Sequence, residues 1–139
     1  MLHSILIIDD NETDRELLIR LIKKAGIAES IHEADDGQSG LDYFKSRLGS
    51  PPYEGGFPST LIFLDINMPR VDGFRFLEEF ATLRENYAEI ESAVLTMFSS
   101  SEREEDKQRA FSFPFVKGFV VKMPRSPEEL KAIVLEHFP

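Results

Sequence analysis

Four stretches of the chain are unbroken apolar runs: Ile5-Leu6-Ile7-Ile8, Leu61-Ile62-Phe63-Leu64, Ala93-Val94-Leu95 and Phe119-Val120-Val121. Short apolar runs without alternation are how central strands buried on both faces of a sheet read. Between them the spacing becomes helical. Leu17, Leu18, Leu21, Ile22 and Ala25 form one stripe, and Leu130, Ile133, Val134 and Phe138 form another. Asn11 is placed to cap the first helix, with Asp14 three residues on, and Lys23, Lys24 and Gly26 suit its end. Ser126-Pro127-Glu128-Glu129 opens the last helix with a cap serine, a proline at the first helical position and a glutamate three residues after the serine. A weaker strand over residues 30–34, polar at His32 and Glu33, reads as a sheet edge. Helical patterns over 37–47, 72–84 and 102–111 complete five strand-helix units. Right-handed crossovers between such units give a doubly wound α/β domain with a parallel sheet covered on both faces.

The composition agrees with one globular domain. The chain has 139 residues, 42% of them hydrophobic, enough for a single core. There are no cysteines, which removes disulfides, thiolate metal sites and thiol nucleophiles, and makes the cytoplasm the expected location. A net charge of -9 argues against a nucleic-acid groove or an anionic membrane surface, either of which would need a clustered basic face. The first apolar run ends at Asp9-Asp10, too soon for a signal peptide or a membrane span.

In doubly wound sheets ligands bind beyond the carboxyl ends of the strands, so the residues ending each strand carry the functional question. The first strand ends in Asp9-Asp10, the third in Asp65, the fourth in Ser99 and the fifth in Lys122. Singly, each has an ordinary use: capping acids, a carboxylate bonding loop amides, a solvated lysine. Together, three carboxylates converging at one sheet end repel one another unless a cation sits among them. An all-oxygen donor set favours Mg2+ bound with phosphate. A carboxylate can then act as nucleophile in phosphoryl transfer, with a lysine and a hydroxyl completing the cradle.

The segments Ile5-Leu6-Ile7-Ile8-Asp9-Asp10-Asn11, Leu64-Asp65-Ile66-Asn67-Met68-Pro69-Arg70-Val71-Asp72-Gly73, Phe98-Ser99-Ser100-Ser101 and Gly118-Phe119-Val120-Val121-Lys122 stand in that order along the chain. On these motifs the sequence resembles the receiver domain of two-component response regulators, over essentially its full length. The resemblance implies a flavodoxin-like sheet of order 2-1-3-4-5. It implies that Asp65 is the phosphoacceptor, charged by a sensor histidine kinase or a histidine phosphotransfer protein. Asp10 would ligate Mg2+ directly, Asp9 largely through water, and the Asn67 backbone carbonyl would add an oxygen. Lys122 would pair with the phosphoryl oxygens. Ser99 would swing toward the phosphoryl group and Phe119 would follow inward as the switch aromatic, changing the surface offered to a downstream protein or a second copy. No separate substrate turnover is expected, and the whole chain, residues 1–139, is expected to be receiver with no output domain.

Thr96 is an alternative switch hydroxyl. Three residues from Ser99, it would face the other way in a continuous strand, about 10 Å off. Met97 and Phe98 belong in the strand while Ser99 begins a polar run, which favours Ser99. The 34 positions between Asp65 and Ser99 call for a longer third crossover, at residues 85–91. Receivers commonly carry Lys-Pro there, joined by a cis bond, whereas this chain has Lys122-Met123-Pro124; a cis bond at Lys122-Met123 is costly, so either the bend is built differently or the Met123-Pro124 bond carries it. A degenerate receiver that only binds partners would share these motifs. A dehalogenase-type enzyme would place Asp-x-Asp after the first strand, where position 11 is Asn, and a flavin-phosphate loop would be repelled by Asp9-Asp10-Asn11-Glu12.

Overall fold

A computed structural model of the chain describes residues 2–46, 60–68, 70–87, 90, 93–122 and 126–137. Strands and helices alternate as β1 (Leu2–Ile8), α1 (Glu12–Ala25), β2 (Ala28–Ala34), α2 (Gly37–Lys45), β3 (Thr60–Leu64), α3 (Gly73–Asn86), β4 (Val94–Ser99), α4 (Glu104–Phe111), β5 (Val116–Val121) and α5 (Pro127–His137). The described strands form one parallel sheet in the order β2-β1-β3-β4-β5, the doubly wound order expected from the motifs.

The alternation of side chains along each strand divides the core between two faces. Leu6, Ile8, Ile62, Leu64, Leu95 and Met97 pack with Leu41 and Phe44 of α2 and with Phe76, Leu77 and Phe80 of α3. Ile5, Ile7, Leu61 and Phe63 point the other way, to Leu18 and Ile22 of α1 and Leu130 and Val134 of α5. Burial of each such side chain contributes about 1.5–3 kcal/mol. The central runs at β1 and β3 are apolar at every position because both faces are covered.

Local chemistry sets the helix ends. The Asn11 side chain accepts from the Asp14 amide at 3.0 Å, and Gly26 closes α1 at φ 62, a left-handed conformation that glycine adopts without strain. Ser126 accepts from the Glu129 amide at 3.1 Å at the start of α5. Gly73, first residue of α3, approaches the strand end so closely that a Cβ there would collide with the Asp65 carbonyl.

Several boundaries differ from the sequence pattern. β2 is an edge strand as expected but begins at Ala28, and α2 ends at Lys45. Arg47 lies outside the described residues, as do Met123, Pro124 and Phe138. β4 runs on through Ser99, past the 93–95 run. β5 is not central: among the described strands it pairs with β4 alone, so its 119–121 run is half-buried and forms the second sheet edge. α4 starts at Glu104 rather than 102, because Arg103 holds an extended conformation and makes no side-chain cap bond. α3 runs to Asn86, and the Arg84 guanidinium donates to the carbonyls of Ile90 at 3.2 Å and Ala93 at 2.7 Å, tying down the long connection to β4. Of the aromatic group near β5, Phe115 is buried, Phe113 and Phe119 are partly buried against the core, and Phe111 is half-exposed.

Candidate phosphoacceptor site

The parallel register brings the strand ends together. The Asp9 amide donates to the Ala34 carbonyl and the Asp65 amide to the Ile8 carbonyl, both at 3.0 Å, so the two acids leave β1 and β3 side by side. The Lys122 amide donates to the Ser99 carbonyl at 2.7 Å, which ties the end of β5 to that of β4. One carboxylate oxygen each from Asp9, Asp10 and Asp65 lies within 4.8 Å of the others. Asp9 and Asp65 are buried and Asp10 is exposed.

The Lys122 ammonium is the internal counterion of this cluster. Its Nζ lies 2.6 Å from Asp9 Oδ2, 2.9 Å from Asp14 Oδ2 and 3.3 Å from Asp65 Oδ2. Burial works against the charge on Lys122, but hydrogen bonds to Asp9 and Asp14 and the field of Asp65 hold its pKa above the ordinary lysine value. For Asp9 the balance goes the other way. Burial raises its pKa above the usual carboxylate value despite the lowering contacts with Lys122 and the Asn11 amide. Arg15 braces the turn by donating from Nη1 to the Asp9 carbonyl at 2.7 Å while its Nε pairs with Glu33 at 3.1 Å.

The donor set is entirely oxygen and suits a hard divalent ion such as Mg2+. Asp9 already uses Oδ1 to accept from the Asn11 amide at 2.9 Å and Oδ2 for Lys122. Asp65 accepts from the Ile66 amide through Oδ1 at 2.8 Å. Asp10 makes no hydrogen bond or ion pair with a described residue, which leaves its carboxylate available. Asn67 is exposed two residues beyond Asp65.

The two candidate switch hydroxyls diverge. Thr96 lies between Val94 and Phe98, which pack on the α1/α5 side, and its fully buried Oγ1 has no partner among the described residues. Ser99 shares the opposite parity with Leu95 and Met97, ends β4, and accepts from the Ser101 amide at 3.2 Å through Oγ. Phe119, in β5, is paired in register with Met97, and the Lys107 ammonium lies 5.9 Å from its ring centroid.

Two participants escaped the sequence pattern. Asp14 carried only the signal of an acid in a helix's first turn, yet it completes the Lys122 cluster. Arg70 carried no signal, yet its guanidinium clamps the loop after Asp65 to Asp36, the α2 cap.

The sequence model of the response regulator receiver domain matches residues 5–135. The chain belongs to the response regulator receiver family. Among curated relatives of this receiver, a probable methanogenesis regulatory protein, FilR2 of Methanothrix harundinacea, is 32% identical over 134 residues, 95% of this chain and 79% of that protein. Several other curated relatives are much longer, with the chain spanning between 5% and 40% of them. Among solved structures, a two-component response regulator from Cytophaga hutchinsonii superposes with a TM-score of 0.80 at 23% identity, covering 99% of this chain and 97% of that one. TrrA of Thermotoga maritima, a response regulator solved in complex with Mg2+ and BeF, gives a TM-score of 0.71 at 23% identity, over 98% and 99% of the two chains. At these identities the structural matches establish the fold of the receiver. No helix among the described residues is long and apolar enough to cross a membrane.

Proposed function

We propose that this receiver accepts a phosphoryl group on Asp65 from a phosphohistidine of a sensor histidine kinase or histidine phosphotransfer protein, in a Mg2+-dependent step, and signals through protein contacts that change on phosphorylation. The observation that carries the reading is the Asp65 carboxylate at the end of β3 with the Lys122 ammonium 3.3 Å away and two more carboxylates beside it.

In the transfer an Asp65 oxygen forms a bond to phosphorus as the phosphorus–nitrogen bond of the donor breaks. The leaving imidazole nitrogen keeps the bonding pair and takes a proton from solvent. Asp10, Asp65 and the Asn67 carbonyl would hold Mg2+, with Asp9, whose Oδ2 is the carboxylate oxygen nearest the Lys122 ammonium, acting largely through water. When bound, the ion offsets the charge on the phosphoryl oxygens. Lys122 exchanges part of its carboxylate shell for those oxygens, and no proton need leave it because its pKa is raised. Ser99 releases the Ser101 amide and donates a hydrogen bond from its hydroxyl to a phosphoryl oxygen, and Phe119 moves toward the space this opens beside Met97.

The test is labelling with acetyl phosphate and Mg2+. The wild type should gain an acid-stable, base-labile phosphoryl group and Asp65→Asn should not. Equal labelling of both would overturn the assignment, and no labelling of either would identify a receiver that only binds partners.

A further inference from the structure

The loop that follows Asp65 is built around an arginine in an unusual conformation. Arg70 has φ 62, the one positive value among described non-glycine residues. An L side chain takes up that region only where its surroundings compensate for crowding at Cβ. Here the compensation is a forked contact: Arg70 Nε donates to Asp36 Oδ2 at 2.5 Å, and one terminal nitrogen donates to Asp36 Oδ1 at 3.0 Å and to Ser39 Oγ at 3.2 Å. Asp36 is itself fixed, since it is buried and caps α2 by accepting from the Ser39 amide at 2.8 Å.

The same two segments are joined by backbone. The Gly37 amide donates to the Val71 carbonyl at 3.0 Å, and a Cβ at Gly37 would collide with that carbonyl. At its far end the loop is closed by the Gly73 amide donating to the Ile66 carbonyl at 2.8 Å. The loop is therefore anchored at Ile66 with Gly73, at Arg70 and at Val71, and Asn67, whose carbonyl the proposed function assigns to the metal, stands between the first two anchors in sequence.

We propose that Arg70 is a positioning residue for the metal site: by holding the loop against Asp36 it presets the Asn67 carbonyl for Mg2+, without touching the ion. This rests on the receiver reading of the site. Charge and position here predict opposite signs. Arg70 is a cation, so removing it should tighten Mg2+ binding if it acted on the acidic cluster through its charge alone. If it acts by position, removal should weaken binding, as loss of a residue that orients a ligand does.

The experiment is calorimetric titration of the metal-free protein with MgCl2, for wild type, Arg70→Gly, Asp36→Asn and the double variant. Glycine accepts the left-handed backbone, and asparagine still caps α2, so both variants should fold. Each single change should raise the Mg2+ dissociation constant, on the order of tenfold, and the double should be no worse than either single. In the metal-free state the Gly37 amide should exchange with solvent faster in Arg70→Gly than in wild type. Unchanged or tighter Mg2+ binding by Arg70→Gly would overturn the inference, as would single effects that add in the double. If Asp10→Asn weakens binding while Arg70→Gly does not, this inference fails and the receiver reading stands. If the wild type itself binds no Mg2+, both fall together.

Discussion

Lys122 Nζ lies 2.9 Å from Asp14 Oδ2, pairing the end of β5 with the first turn of α1 across 108 positions of sequence. Asp14 thus competes for the cation that a phosphoryl group on Asp65 would need. The pair is partly solvated, with Asp14 37% and Lys122 15% exposed, so its loss costs roughly 0.5–1 kcal/mol of stability. Asp14→Asn keeps the backbone amide that Asn11 caps and removes one negative charge from the path of an anionic donor. It should accept phosphate from acetyl phosphate about two- to fivefold faster than wild type, the rate equivalent of that energy. Time courses of labelling at limiting donor check this, and an equal or slower rate would show that Asp14 does not restrain Lys122.

How much of this was legible beforehand follows from which contacts are local. The strand ends Asp9, Asp10, Asp65 and Lys122 could be read because a buried strand announces itself by an apolar run and the next polar residue marks its end; Ser99 needed the further step of keeping Met97 and Phe98 in the strand beyond Thr96. The Asn11 and Ser126 caps were readable for the same reason, since their partners lie three residues away. Asp14 and Arg70 were not, because their roles depend on partners brought near only by the sheet order and by the α2 cap. The apolar pattern alone misplaces β5: Phe119-Val120-Val121 is as apolar as a central strand, and it is the strand order 2-1-3-4-5, implied by the motifs, that puts it at the sheet edge.

The Arg70–Asp36 clamp also has a pH signature. The Arg70 hydrogen bond, against the opposing effect of burial, holds the Asp36 carboxyl down to about 2, below its ordinary value of 3.8. A carboxyl whose folded pKa is depressed stabilises the fold above its unfolded value, and that contribution is lost as pH falls through the folded one. The contribution should therefore be intact above about pH 4 and vanish toward pH 2. Other carboxylates titrate in the same range, so the diagnostic quantity is the difference in Tm between wild type and Asp36→Asn. That difference should be constant from pH 7 to about pH 5 and shrink as pH falls toward the folded value. A gap that widens in acid would mean that Asp36 is not held ionised by Arg70.

Thr96 and Ser99 separate a stability role from a switching one. The Thr96 hydroxyl is fully buried among apolar side chains with no partner among the described residues, a costly arrangement for a polar atom. Thr96→Val fills nearly the same space without it and should stabilise the protein by about 1 kcal/mol, raising Tm by about 3 °C. It should leave labelling at Asp65 and phosphorylation-dependent binding untouched. Ser99→Ala should still be labelled but lose the phosphorylation-dependent contact. The converse pattern, with binding lost in Thr96→Val and kept in Ser99→Ala, would reassign the switch.

Ser101 links the switch hydroxyl to the start of α4. Its amide donates to Ser99 Oγ at 3.2 Å, its hydroxyl donates to Asp106 Oδ2 at 2.5 Å, and the same Oγ accepts from the Arg103 amide at 3.3 Å. Arg103, at the cap position, makes no side-chain cap bond and pairs with Glu105 instead, so the bond from Ser101 to Asp106 is what ties the first turn of α4 to the end of β4. Little else anchors this turn, because Ala110 is the one buried residue of the helix. Asp106→Ala should therefore loosen residues 104–107, seen as faster amide exchange there, at a cost of about 1 kcal/mol. Labelling at Asp65 should be unchanged, since Asp106 is not among the carboxylates that surround Lys122. In wild type, phosphorylation should produce the same local rise in exchange as Ser99 turns away from the Ser101 amide, and in Asp106→Ala that further rise should be largely absent. A full phosphorylation-dependent rise in the variant would mean that α4 responds to Asp65 by a route that bypasses Ser101.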